Sequence, residues 1–346
     1  MVRCYQGRRR VRQQVLKPGE DFAFSGHLTR LTIDTGQKVE TVDWPTCPSW
    51  ARGIGRDRYG LFVEVTVQGV EFVMRWIPPG EFMMGSPGDE PERFNDEGPQ
   101  HLVQFTHGFW LAETACTQAL WQAVMGENPS EFKGDELPVE NVSWTDAQKF
   151  IEQANRIHPG LALRLPSEAE WEYGCRAGTS MPFWFGTELI TDRANYDGRS
   201  PYADGKKGER RGKTVEVKRF QPNPWGLYQV HGNVWEWCAD PWHDNYEGAP
   251  DDGRAWEKDG DSERAVLRGG SWFNLGRRLR SAFRGRDHRD FAGIIGDFGF
   301  RLARGPESPG AAGGRGRRGS QAERGTSAAS ATTGPARAGN EQLRGA

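Results

Sequence analysis

Five cysteines in 346 residues (Cys4, Cys47, Cys116, Cys175 and Cys238) are too widely spaced to form any C-x-x-C pair. That spacing and their odd number exclude a disulfide framework and a zinc ribbon, so they read as reduced, mostly buried thiols. No apolar stretch approaches the ~20 residues that span a bilayer, so no membrane partner is expected. The N-terminus carries Arg8, Arg9 and Arg10 but no apolar run behind them, which argues against a secretory signal and makes the cytoplasm the expected location. Charge of one sign is missing too: 45 basic residues face 47 acidic ones, which excludes a general polyanion binder. Neither H-E-x-x-H nor G-x-S-x-G occurs, and no period of about 20 to 50 residues marks a solenoid or propeller.

What the chain does have is aromatic mass, with 14 Trp and 18 Phe, enough to build a rigid core. Residues 1–55 form a polar extension with little periodicity beyond a strand over Leu28 to Ile33. A hairpin follows, Leu61 to Val67 and Val70 to Ile77, joined by the two-residue turn Gln68-Gly69. Thr117 precedes a helix over Gln118 to Met125; Ser143 with Asp146 opens one striped by Phe150, Ile151, Ala154 and Ile157; Ser167 with Glu170 opens Glu168 to Arg176. From Gly178 to Arg304, Gly, Pro, Asn and Asp punctuate short apolar islands, which predicts short strands and long structured loops. Residues 305–346 hold Leu343 as their one large aliphatic and no aromatic, the composition of a disordered tail.

Seven motifs stand in order between residues 74 and 304. They are Trp76-Ile77-Pro78-Pro79-Gly80-Glu81-Phe82, Phe109-Trp110-Leu111, Pro138-Val139-Glu140-Asn141-Val142-Ser143-Trp144, Arg164-Leu165-Pro166-Ser167-Glu168, Asn223-Pro224-Trp225-Gly226-Leu227-Tyr228, Gly232-Asn233-Val234-Trp235-Glu236-Trp237, and Arg268-Gly269-Gly270-Ser271-Trp272 closing at Gly299-Phe300-Arg301. This series resembles the formylglycine-generating-enzyme/sulfatase-modifying-factor family. The resemblance implies an α+β, C-type-lectin-like fold over residues 56–304, with short helices, short antiparallel strands and long structured loops. It also implies calcium loops, one at Asn233, Val234 and Glu236, and a weaker one at Asn195 and Glu209 with the carbonyls of Tyr196 and Arg211. Hard oxygen donors suit Ca²⁺; the competing reading is that Asn233 caps a turn and Glu236 pairs with an arginine. Members of the family oxidise a cysteine with copper held by two thiolates, but the matching positions here are Asn274 and Leu279. Neither is a useful Cu(I) ligand, so no copper is expected and no catalytic residue is assigned.

The 25 residues from Phe273 to Asp297 contain no Glu, Gln, Lys, Met or Trp. Mutating the adenines of AAC or AAT codons cannot produce any of those five. The segment thus resembles the variable region of proteins diversified by diversity-generating retroelements. Fixed-looking positions (Trp272, Arg280, Ser281, Ala282, Arg284) alternate with unrelated ones: Phe273, Asn274, Leu275, Arg278, Phe283, Gly285, Arg286, His288, Asp290, Phe291, Ala292, Gly293 and Ile294. This second set is the candidate ligand-binding surface for a protein or other macromolecule. The bland alternative is an Arg-rich loop whose apolar residues are core. Six Arg against three Asp make the window modestly basic, yet without the clustered basic face that nucleic acid requires. The resulting expectation is a non-catalytic binder, the alternative being an enzyme of the same superfamily with a non-standard site.

Overall fold

The computed structural model describes five short N-terminal strands and the continuous stretch 47–305. The N-terminal strands are β1 (Val2–Gln6), β2 (Arg9–Gln14), β3 (Phe24–Gly26), β4 (Arg30–Asp34) and β5 (Val39–Asp43). Next come β6 (Gly53–Asp57), β7 (Gly60–Val67), β8 (Val70–Ile77), β9 (Gly80–Met84), β10 (His101–Phe105) and β11 (Phe109–Ala112), then helices α1 (Gln118–Met125), α2 (Trp144–Ile157) and α3 (Glu168–Arg176). The last strands are β12 (Trp235–Trp242), β13 (Asp261–Arg268), β14 (Gly285–His288), β15 (Phe298–Phe300) and β16 (Ala303–Arg304).

The β7–β8 hairpin shows how sequence becomes register. Gln68 and Gly69 both take positive φ, 49° and 82°, the twist of a type I′ turn, so Val67 pairs with Val70 and Val63 with Met74. Alternation then sends Val63, Val65 and Val67 into the core. The hairpin sits inside a six-stranded sheet ordered β16-β11-β8-β7-β6-β3, so the chain's last described strand closes against β11. A second sheet runs β14-β13-β12-β15, with β12 and β15 parallel.

All three helices begin at the expected caps. The Thr117, Ser143 and Ser167 hydroxyls accept from backbone N–H groups, and the Asp146 and Glu170 carboxylates reach back to complete capping boxes. α2 buries Phe150, Ile151 and Ala154, and Phe150 stacks on Trp121 with ring centres 5.3 Å apart. Helix α3 is buried along its whole length, charges included, because Glu168 and Glu172 are neutralised from the far end of the chain. Between residues 178 and 304 there is no α-helix, only strands, turns and loops.

The N-terminal stretch differs from its reading. The strand expected over Leu28 to Ile33 runs Arg30–Asp34, and four further strands accompany it. β1 pairs with its neighbour β2 as a hairpin and with the more distant β4, and β3 pairs with β6, so pairing supplies order that local periodicity does not encode. The expected disordered tail lies outside the described residues.

Candidate binding surface

The segment that begins at Arg268 leaves β13 through Gly269 and Gly270, both at positive φ, and a Cβ on Gly270 would meet the Arg278 carbonyl at 2.8 Å. It then makes a 3-10 turn over Gly276–Leu279, the edge strand β14, a loop, and the buried strand β15 at the opposite edge of the same sheet. Its fixed-looking residues point inward. The Arg280 guanidinium meets Glu90 at 2.6 Å and Glu97 at 2.5 Å, while Arg284 forks onto Glu168 at 2.7 and 2.9 Å. Arg268 pairs with Glu168 at 3.1 Å and with Glu172, and Arg301 grips Glu236 at 2.8 and 2.9 Å. All four guanidiniums are buried, and against the cost of desolvation the neighbouring acidic groups raise Arg268, Arg280 and Arg284 above the usual arginine range.

Of the thirteen candidate ligand-binding residues, eight are exposed: Phe273, Leu275, Arg278, Arg286, His288, Asp290, Phe291 and Ile294. Gly285, Ala292 and Gly293 are half-buried. Four of the eight exposed large hydrophobics among the described residues lie here, Ile294 being 84% exposed, so this one segment carries half of them. Two candidates lie inside instead. Phe283 is buried between Phe94 (5.4 Å) and Trp235 (5.9 Å), and the buried Asn274 accepts from the Ser271 N–H (2.9 Å) and hydroxyl (3.1 Å). The run from Leu279 to Arg284 is buried without a break, its three polar residues included.

Where the resembled family keeps thiolates, this chain has core. Leu279 is fully buried, with its side chain against Gly232 and Gly270, and its carbonyl accepts from His231 Nδ1 at 2.7 Å. Burial keeps that imidazole neutral, its pKa down to about 3. Cys175 and Cys238 are also fully buried, and burial pushes the Cys175 thiol up to about 12. Asp297, which accepts from the Ser271 hydroxyl at 3.2 Å, is raised by burial to about 6.

The two calcium candidates differ in what they leave free. Asn233 Oδ1 accepts from Asn195 Nδ2 and from the Val215 N–H, both at 2.9 Å, and Val234 beside it is buried. Both oxygens of Glu236 are engaged by Arg301, and one also accepts from Trp171 Nε1 at 2.7 Å. Asn195, by contrast, is 1% exposed and its Oδ1 has no hydrogen-bond partner among the described residues, the kind of orphan a cation would satisfy. Tyr196 next to it is buried, Glu209 is exposed and paired with Arg211 at 2.9 Å, and the Asp197 N–H donates to the Asn274 carbonyl at 3.0 Å. Among the described residues, no three His, Cys, Asp or Glu side chains converge as a metal cage.

A profile for the sulfatase-modifying factor enzyme 1-like domain matches residues 62–306. The chain is 32% identical over 232 residues to a formylglycine-generating enzyme of Streptomyces coelicolor, which covers 62% of this chain and 70% of that one. The solved structure of PvdO from Pseudomonas aeruginosa superposes with a TM-score of 0.59 at 33% identity, covering 69% of this chain and 98% of that one. Treponema denticola variable protein 1 superposes with a TM-score of 0.56 at 28% identity, covering 71% and 99%. The chain spans about two fifths of the length of other curated relatives that it matches. No helix among the described residues is long and apolar enough to cross a membrane.

Proposed function

The chain belongs to the sulfatase-modifying factor enzyme 1-like domain family, yet places Asn274 and the fully buried Leu279 where copper thiolates would stand; from this we propose that it is a non-catalytic binding protein. Its ligand is a protein or other macromolecule, taken on the outer face of residues 273–297, a surface diversified by a retroelement. One observation carries the reading. The segment separates by burial into an inner set locked by ion pairs and an outer set of unrelated exposed residues, and the outer set lacks the residue types that adenine mutation of Asn codons cannot reach. A rigid frame with interchangeable side chains binds without ordering the backbone first, which keeps the cost of binding low. The likeness to Treponema denticola variable protein 1 supports the same reading. A cytoplasmic setting, in which buried thiols stay reduced, belongs to it as well.

Calcium fits at Asn195 better than at Glu236. There the ion would take the free Asn195 Oδ1 with carbonyl oxygens of the 195–211 loop, and so steady the Asp197 N–H that holds the Asn274 carbonyl at the start of the variable segment.

The test is genetic. Sequencing the DNA around the gene should show a near-repeat of codons 273–297 whose mismatches fall only at adenines, next to a reverse-transcriptase gene; its absence defeats the diversification. An enzymatic reading has one observation in its favour, the Asp297 carboxyl raised to about 6 beside Ser271 and Asn274. Conversion of a peptide cysteine to an aldehyde by the purified chain with copper, beyond a protein-free control, would establish that reading, and none is expected.

A further inference from the structure

The six arginines of the variable segment fall into two classes. Arg280 and Arg284 are neutralised by buried carboxylates. Arg277, Arg278, Arg286 and Arg289 have no carboxylate partner among the described residues, and Arg286 acts on Asp96 only at a distance.

Three of those four are nevertheless fixed in place. The Arg277 guanidinium lies 5.3 Å from the ring centre of Phe94, Arg286 lies 4.5 Å from that of Trp242, and Arg289 lies 4.3 Å from that of Trp144. The rings are themselves held. Trp242 donates to Asp244 Oδ1 at 2.9 Å, Trp144 donates to the Cys238 carbonyl at 2.9 Å, and Phe94 packs edge-on against Phe283. None of the three supporting rings belongs to the variable segment. The scaffold thus provides a shelf of aromatic rings that carries guanidiniums with their forks unspent and less rotamer entropy left to lose.

Taking residues 273–297 as the binding face, as the proposed function does, we infer that this shelf receives carboxylates, and that the partner is a polypeptide surface with clustered Asp or Glu and apolar side chains between them. Planar forks match carboxylates in pairs. Phosphates would satisfy the forks too, but exposed Leu275 and Ile294 would have nothing to bury against on a phosphate backbone. An acidic protein with apolar inserts satisfies both kinds of group.

The full chain should bind a random glutamate–tyrosine copolymer more tightly than an oligothymidylate of matched charge. Replacing Arg277, Arg286 and Arg289 together by Ser should weaken copolymer binding by about tenfold or more, with an unchanged melting curve. Replacing them by Lys keeps the charge but loses the fork, and should recover little of the loss. A control triple of exposed cations elsewhere, Arg156, Arg219 and Arg254 to Ser, should change binding less than about twofold. If the triple Ser variant melts early, Arg286→Ser alone, at an exposed position, takes its place. Tighter binding of the oligothymidylate, an equal loss in the control triple, or full recovery with Lys overturns the inference. These failures are separable from failure of the diversification reading: a template repeat found together with no copolymer preference removes the partner class only.

Discussion

Arg284 and Arg286 stand two residues apart, and both guanidiniums lie over Trp242, at 4.4 and 4.5 Å, yet they live in different worlds. Arg284 is buried, forks onto Glu168 and donates to the carbonyls of Asp96 and His243 at 2.9 Å. Arg286 is exposed and has no carboxylate partner among the described residues. The lesson extends along the segment: its inner face is fixed by charge pairs that reach Glu90, Glu97 and Glu168, far away in sequence, while its outer face makes no such pair among the described residues. A segment built this way can change half of its residues without moving its backbone.

Breaking the inner face should cost most. Arg280→Met would strand Glu90 and Glu97 without their counter-charge in a dry site, and removal of one partner from a buried pair typically costs about 3–5 kcal/mol. Denaturant melts should show that loss or outright misfolding; a change under about 1 kcal/mol would mean the network is dispensable. Phe283→Ala comes next, because it empties a site between Phe94 and Trp235 and should cost about 3 kcal/mol. Phe291→Ala, at an exposed ring, should leave the melt almost unchanged while weakening partner binding. Equal melts for the two phenylalanines would erase the distinction between the faces.

How much of this was legible in the sequence follows from the range of the interactions. The β7–β8 hairpin and the three helices are local: a Gln-Gly turn at positive φ, and hydroxyl and carboxylate caps three residues apart. The motif order conveyed the family, and with it the fold. Nothing local announced that Phe283 points inward, since its neighbours in space, Phe94 and Trp235, are remote in sequence. Nor did anything local announce that Glu236 would be taken up by Arg301, or that Asn195 would keep a free oxygen. Of the N-terminal strands, β3 was missed for the same reason, its partner β6 lying far along the chain; β1 and β2 form a local hairpin in polar sequence.

Protons offer a reversible probe of the inner face. Burial raises the Asp297 carboxyl to about 6, above its unfolded value. Its contribution to stability is therefore fully present below the unfolded pKa and lost as pH rises through about 6. Asp297→Asn removes that ionisation, so the variant should gain about 2 kcal/mol relative to the parent between pH 4.5 and pH 8. Melts at the two pH values that leave the difference constant would place Asp297 outside the dry interior. A cation should act next in size. With Asn195 Oδ1 awaiting a partner, saturating Ca²⁺ should stabilise the parent by about 1–2 kcal/mol and Asn195→Ala hardly at all; an equal response would put calcium elsewhere.

The smallest effect is the one on which the comparison finally rests. Ile294 is 84% exposed. Substituting it by Asn, Ser, Tyr or Asp should shift stability by no more than about 0.5 kcal/mol, because an exposed side chain surrenders little buried area whichever residue it becomes. The same tolerance should hold at Leu275 and Phe273, and for pairs of such changes, since separated surface sites combine additively. A library randomised at these three positions and sorted for folded protein should therefore return nearly every residue, whereas one randomised at Ser281 and Ala282, both fully buried, should collapse to a few. If the outer library collapses as well, the outer face is ordinary protein surface under structural constraint, and the segment has no freedom for diversification to use.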